Sequence, residues 1–427
     1  MIESLARPQL DRDALVERYC TNRRHSAAIF ALVPADGYLE RPIPLRHPLA
    51  FYEGHLPAFS AITLLRKALG EPAIDEAFET LFRRGIDPAS EAEAAAKGVP
   101  VWPAHAAIAA YGARVDALIV DALARAPIDD GARSPLLERA EAAYNILEHE
   151  EMHHETLLYI LNRIAPERKH SNGRLSRSKE RPPAATGRVT IPGGIAVLGA
   201  QRGALAFGWD NEFERSERAV GAFEIDVNPV TNAEYLAFVR EGGPVPSFWI
   251  PRSDGFALLA QFETLDPMPG TWPVYATQEQ AAAYTAWRGA RLVTEAEYDR
   301  AAYGSPSDVE RRYPWGDAEP TAAHGNFDFH RYDPQSVGSA PLGASAWGVA
   351  DLLGNGWEWT STPFAPLPGF APMASYPEYS ADFFDGVHYV MKGASPVTSV
   401  HHLRRSFRNW YRSDYPYAYA KFRCAYD

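Results

Sequence analysis

The stretch Gly348-Val-Ala-Asp-Leu-Leu-Gly-Asn-Gly-Trp-Glu-Trp-Thr360 decides how the second half of this chain is read. It is turn chemistry followed by aromatics that belong in a core, and a charged group inside such a core requires partners. The surroundings agree. From about residue 188 onward the chain is rich in Gly, Pro, Trp and Tyr, with short turns throughout. Only 231–240 and 277–290 carry a helical pattern there; the rest reads as short strands and loops, without an internal repeat.

The first half has a different composition. Residues 1–165 are rich in Ala, Leu, Glu and Arg at helical spacing. That spacing predicts helices over 11–32 (Leu15, Tyr19, Ile29), 48–68, 73–84 closed by Gly85, 103–124 and 134–164. Ser134-Pro135 is a good helix start, with Ser as N-cap and Pro at the first position. Four or five helices of this length predict an antiparallel bundle. Between the halves, 166–188 holds basic residues, paired prolines and few apolar side chains, the composition of an exposed linker. With 427 residues, more than one core usually serves, two domains follow: 1–165 and 189–427.

Charge and composition exclude several classes of function. Lys+Arg 42 against Asp+Glu 54 gives a net charge of −12, which argues against nucleic-acid binding. No apolar run approaches the length of a membrane span. The N-terminus lacks the apolar core of a signal peptide, so a cytoplasmic protein is expected. Cys20 and Cys424 are too few for a disulfide framework or a thiolate zinc site.

The sharpest local signal is Leu147-Glu-His-Glu-Glu-Met-His-His-Glu155. His149 and His153 lie four apart and share one helix face, where two imidazoles can bind one metal ion. A third ligand is sought upstream in His47-Pro-Leu-Ala-Phe-Tyr-Glu-Gly-His55. His55 is preferred over His47, which precedes Pro48 at the helix entrance, and Gly54 permits close approach of a neighbour. His154 and Glu155 point away from the ligand face. The stretch also spells H-E-x-x-H, the pattern of a zinc hydrolase with Glu150 as base. For each histidine the plain structural alternative is a hydrogen-bonded core residue.

Several phrases of the second half resemble the formylglycine-generating-enzyme (sulfatase-modifying factor) family, in that family's order. They are Ile191–Gly199, Glu224–Tyr235, Arg291–Tyr298, Tyr313–Asp317, Gly348–Thr360, Met391–Ser395 and Phe422-Arg423. The resemblance implies a C-type-lectin-like, irregular α+β domain. Formylglycine generation would need a pair of copper-binding cysteines, and this half holds only Cys424. The histidine-bearing bundle joined to such a domain resembles the ergothioneine-type sulfoxide synthases and the related selenoneine synthases. The first half then corresponds to their DinB-like four-helix bundle.

That resemblance implies an Fe(II) site formed by His55, His149 and His153, the residues that spacing also selects. It implies an O2-dependent reaction joining sulfur or selenium to the imidazole C2 of hercynine (Nα-trimethylhistidine). A tyrosine acid is implied, with Tyr379 first and Tyr376 second. Asn409-Trp410-Tyr411 resembles the substrate-contacting phrase, and Trp410 is assigned to the trimethylammonium group, for which aromatic faces are the physical answer.

Two departures bear on the substrates. Relatives that use γ-glutamylcysteine tend to carry an Asp and an Arg where this chain has Tyr411 and Tyr415, so the dipeptide's charges would lack partners. Met152 stands where Gln is frequent. The run of aromatics from Trp410 to Tyr419 suits a neutral sugar, and Phe51–Phe59 and Arg84–Pro88 also resemble the selenoneine branch. A selenosugar donor is therefore favoured over cysteine or another thiol. Arg83, Arg84, Arg404 and Arg408 are candidates for holding a carboxylate. A zinc hydrolase and a non-catalytic binding module are the competing readings.

Overall fold

The computed structural model describes residues 10–34, 37–83, 101–171, 180–183, 185–307 and 309–427. The chain divides into two compact units, Met1–Leu157 and Leu158–Asp427.

The first unit is helical. Its helices are α1 (Arg12–Phe30), α2 (Leu49–Ser60), α3 (Glu76–Phe82), α4 (His105–Arg125) and α5 (Glu141–Asn162), the last turn of which belongs to the second unit. Asp11 caps α1 by accepting from the Ala14 N–H. Helix α2 is buried on nearly every side, from Leu49 through Ala58, as befits a helix at the centre of a bundle. It continues as a π-helical stretch, Ala61–Ala68.

The expected helix over 134–164 is broken. Ser134 caps a 3₁₀ turn, Pro135–Ala140, in which Arg139 and Ala140 take φ of 55° and 59°. Leu137 and Ala140 are fully buried on either side of the break, and the regular helix starts only at Glu141. The helix expected over 73–84 is observed as Glu76–Phe82; Arg84 and Gly85 lie outside the described residues.

The second unit carries three short helices, α6 (Asn232–Arg240), α7 (Gln278–Trp287) and α8 (Glu295–Tyr303). Each opens with a capping box: Thr231 with Glu234, Thr277 with Gln280, and Thr294 with Glu297. Helix α8 was not among the expected elements, although its T-x-x-E signature is present. The strands are β1 (Arg188–Ile191), β2 (Gly194–Leu198), β3 (Ser216–Val220), β4 (Phe223–Asp226), β5 (Trp249–Arg252), β6 (Gly255–Leu259), β7 (Thr264–Leu265), β8 (Gly356–Pro363), β9 (His388–Ala394), β10 (Asn409–Arg412), β11 (Ala420–Lys421) and β12 (Ala425–Tyr426). They form small sheets ordered β1-β4-β12, β10-β9-β8-β11, β2-β3 and β5-β6-β7.

The stretch 348–360 enters β8 through a tight turn. Gly354, at φ 92°, packs so closely that a Cβ there would meet the Asn326 carbonyl at 2.7 Å. The strand then buries Trp357, Glu358 and Trp359 completely. Glu358 finds its partners on the C-terminal segment. Arg423 binds it through two hydrogen bonds of 2.5 and 2.8 Å, and the Lys421 ammonium lies 3.4 Å away while donating to the Gly356 carbonyl.

Most of the described residues of 166–188 are exposed, and a few of them are tied to the second unit. Lys169 is buried and donates to the Leu161 carbonyl at the end of α5. Glu180 accepts from the Thr271 N–H and hydroxyl, and the Arg181 N–H donates to Ser336.

Candidate metal centre

Helices α2 and α5 each bring histidines to one place. His55 sits mid-way along α2, and His149 and His153 occupy successive turns of α5. One ring nitrogen from each lies within 4.8 Å of the other two. Among the described residues this is the one group of three or more His, Cys, Asp or Glu arranged to hold a metal ion. The Nε2 atoms of His149 and His153 are 3.2 Å apart. Neighbouring ligands at about 2.1 Å from one octahedral ion stand about 3 Å apart, so the spacing suits a shared metal.

The surroundings prepare the rings for that task. His55 Nδ1–H donates to the Phe82 carbonyl at 2.8 Å, which leaves Nε2 as the lone-pair nitrogen. The Phe82 ring in turn fills the space over Gly54, where a Cβ would meet it at 2.5 Å. The ring of Phe59 stacks on His149 at 3.5 Å, Phe51 stacks on His55 at 5.0 Å, and Tyr52 leans against His153. Burial pushes the His55 pKa down to about 4 and holds His149 and His153 well below the usual histidine range. The rings are therefore neutral at pH 7, the form that ligates metal. His153 Nδ1 is buried with no hydrogen-bond partner. The donor set is three neutral imidazoles, which fits a divalent transition metal.

Phe51, Tyr52, Phe59 and Phe82 form an aromatic wall around these rings, of which the sequence shows all but Phe82 beside His55. Its signal was present, since Phe51, Tyr52 and Phe59 stand three or four residues from His55 on the same helix. His47 stacks on the outer side of Phe51, at 4.2 Å, and is not in the cluster.

The other polar residues of the H-E-x-x-H stretch face elsewhere. Glu150 accepts from Arg23 at 2.8 Å and from Ser26 at 2.6 Å, both on α1. Its carboxylate is thus engaged away from the imidazoles, contrary to what a zinc hydrolase would need of its base. His154, as expected, points away from the ligand face, with Nε2 at 2.8 Å from Ser26 Oγ. Met152 is half-buried on α5.

In the second unit, Trp410 lies on β10, stacked on Phe364 at 4.3 Å and edge-on to Tyr379 at 5.2 Å. Tyr379 stacks on Trp209 at 3.9 Å, and Tyr376 is 5.9 Å from Tyr379. The structure thus gathers Tyr376, Tyr379 and Trp410 into one aromatic cluster. Asn409 accepts the Trp410 N–H through its side chain. Tyr411 and Tyr415 form a second cluster, stacked on each other at 4.7 Å with Tyr159 edge-on to both.

Two of the arginine candidates have internal partners. Arg408 is buried and bonded to both Glu295 carboxylate oxygens at 2.7 and 3.1 Å, and to the Asn211 and Ala365 carbonyls. Arg404 makes the same kind of fork to the buried Glu212. Both pair with internal glutamates. Arg83 ends α3, and Arg84 lies outside the described residues. Cys424 is buried, and burial pushes its thiol up to about 12, so it offers no thiolate for copper. No helix among the described residues is long and apolar enough to cross a membrane.

Residues 174–427 match the sulfatase-modifying factor enzyme 1-like domain. The chain is 36% identical over 393 residues to a hercynine oxygenase of Mycolicibacterium smegmatis, spanning 86% of this chain and 88% of that one. It is 26% identical over 504 residues to ergothioneine biosynthesis protein 1 of Neurospora crassa, spanning 93% of this chain and 56% of that one. A formylglycine-generating enzyme of Mycobacterium tuberculosis shares 26% identity over 300 residues, 56% of this chain and 97% of that one. With a relative so similar along most of both chains, this protein belongs to the ergothioneine-type sulfoxide synthase family, that of the hercynine oxygenases.

Proposed function

We propose that this protein is an Fe(II)- and O2-dependent enzyme that joins a chalcogen to the imidazole C2 of hercynine, with a selenosugar as the favoured donor. The observation that carries the reading is the clustered trio His55, His149 and His153, in a chain whose relative is named hercynine oxygenase. Ferrous iron bound there would supply one-electron chemistry with dioxygen and open positions for substrate. Three neutral imidazoles add no negative charge, so the site favours an anionic sulfur or selenium ligand.

The chain's own residues take the remaining roles. His55 is held in one tautomer and orientation by the Phe82 carbonyl. Phe51, Tyr52 and Phe59 limit water around the rings. Trp410, within its wall of Phe364, Tyr379 and Phe383, is assigned to the trimethylammonium group, which donates no hydrogen bond and favours aromatic faces. Asn409 is assigned to the same substrate. Tyr379, and second Tyr376, is assigned the proton donated during oxygen use.

The stacked pair Tyr411 and Tyr415 supports a neutral donor. Rings of this kind suit a sugar face and provide no ion pair for the ammonium and carboxylate of γ-glutamylcysteine. Cysteine or another thiol is the second reading, and the bundle is assigned to the DinB-like type. The cell compartment proposed is the cytoplasm, and the substrates are small molecules.

The test is anaerobic Fe(II) reconstitution, then air, with hercynine and a mixture of selenosugar, cysteine and γ-glutamylcysteine, and products read by mass spectrometry. The expected product is the selenium adduct of hercynine. A cysteine-derived sulfoxide alone would overturn the donor. No oxygen-dependent product from hercynine with any donor would overturn the function.

A further inference from the structure

Helix α1 presents Arg18, Asn22 and Ser26 at four-residue spacing, one stripe of its surface, and all three bind α5. Arg18 donates two hydrogen bonds, of 2.7 and 2.8 Å, to Glu151. Asn22 donates to the Leu147 carbonyl at 3.0 Å. Ser26 Oγ touches both Glu150 and His154, at 2.6 and 2.8 Å. A hydroxyl has one proton; Glu150 accepts it, so His154 Nε2 is the donor to Ser26. Arg23 closes the network, pairing with Glu150 and, through Nε at 2.9 Å, with Asp116 of α4. Glu150 and Ser26 are each about 1% exposed and His154 is fully buried.

Buried ion pairs are a poor way to gain stability, since apolar side chains of the same volume often serve as well. What a polar network that bridges two helices does provide is one favoured rotation. Glu150 follows His149 and His154 follows His153, each by one residue, or about 100° around the helix. Fixing one pair's direction fixes the other's. Side-chain tips lie about 5–6 Å from the helix axis, so a turn of about 20° moves a ring nitrogen by about 2 Å, as long as a metal–nitrogen bond. We propose that Ser26, Glu150 and His154 are positioning residues that set the rotation of α5 so that His149 and His153 meet His55 around one metal ion. This rests on the metal-centre reading above.

Co(II) serves as the probe, with affinity and the visible d–d spectrum as readouts. Ser26→Ala and Glu150→Ala are expected to weaken Co(II) binding about ten- to hundredfold and to change the band shape, as outer-shell losses do. Ser26→Thr and Glu150→Gln keep the hydrogen bonds and are expected to restore wild-type affinity and spectrum. Ile29→Val, a buried α1 change outside the network, is expected to lower the melting temperature without moving either readout. Should Ser26→Ala fail to fold, Glu150→Ala against Glu150→Gln carries the same contrast. Wild-type affinity and spectrum in both alanine variants would overturn this proposal alone. Failure of the wild-type chain to bind Co(II) would overturn the metal centre and this proposal with it.

Discussion

Two buried polar clusters of this molecule behave in opposite ways. In the second unit, Glu358 of β8 and Lys421 and Arg423 of the C-terminal segment are fully buried, and their charges are set against one another and against backbone carbonyls. The proximity of Arg423 and Lys421 outweighs the effect of burial and holds the Glu358 carboxyl below its ordinary range. In the first unit, His55 and His149 are buried and His153 is half-buried, and they set like against like: burial first, then the proximity of the other two rings, keeps His149 from being protonated. A cluster whose donors and acceptors match holds a fold together. A cluster that gathers lone pairs without matching donors is built for a cation. Burial alone distinguishes neither.

The largest expected effect separates these roles. His149→Ala or His153→Ala should reduce metal affinity by well over the hundredfold of an outer-shell change and abolish oxygen-dependent turnover, while circular dichroism and melting change little. A parallel loss of folding would show that the histidines are structural. The converse variant is Glu358→Ala. It leaves two buried cations facing each other and should cost about 3–5 kcal/mol of stability, read by urea unfolding, with metal stoichiometry of the remaining folded protein unchanged. A cost under about 1 kcal/mol would remove the distinction from its structural side.

Asp210 stands between the two cases. One carboxylate oxygen accepts from Ser380 at 2.6 Å and the other is buried without a partner. Burial raises its pKa to about 6, above an unfolded value of about 4. Between those values the folded state binds more protons than the unfolded state. Its contribution is therefore complete below about pH 4 and is lost as pH rises through about 6, by up to about 2–3 kcal/mol. Asp210→Asn should flatten the stability profile over that window. An unchanged slope would show that its environment is wetter than the geometry implies.

The smallest effect tests the approach that orients His55. Gly54→Ala places a methyl against the Phe82 ring, whose own carbonyl holds His55, and should weaken metal binding about tenfold with modest loss of stability. Unchanged affinity would mean that the carbonyl contact does not govern the ring.

How far these features could be read in advance depended on whether their cause was local. The histidine trio was legible because four-residue spacing dictates a shared face, and the need for partners around Glu358 was legible because buried charge must be matched. The break at Arg139 and Ala140 was not, since two non-glycine residues at positive φ carry no local signal in the sequence. Arg404 and Arg408 were read toward substrate because their glutamate partners, Glu212 and Glu295, lie more than a hundred residues away in sequence. The role of Glu150 was hidden for the same reason: H-E-x-x-H names a base only if no other helix binds the carboxylate. Helix α8 was overlooked despite a local signal, its Thr294/Glu297 capping box.

The central claim is that the three imidazoles bind one metal ion, and X-ray absorption at the iron edge tests it most directly. Protein loaded anaerobically with one equivalent of Fe(II) should show multiple scattering from three imidazoles, falling to two in His55→Ala. A spectrum lacking imidazole scattering, or one unchanged by His55→Ala, would contradict the account.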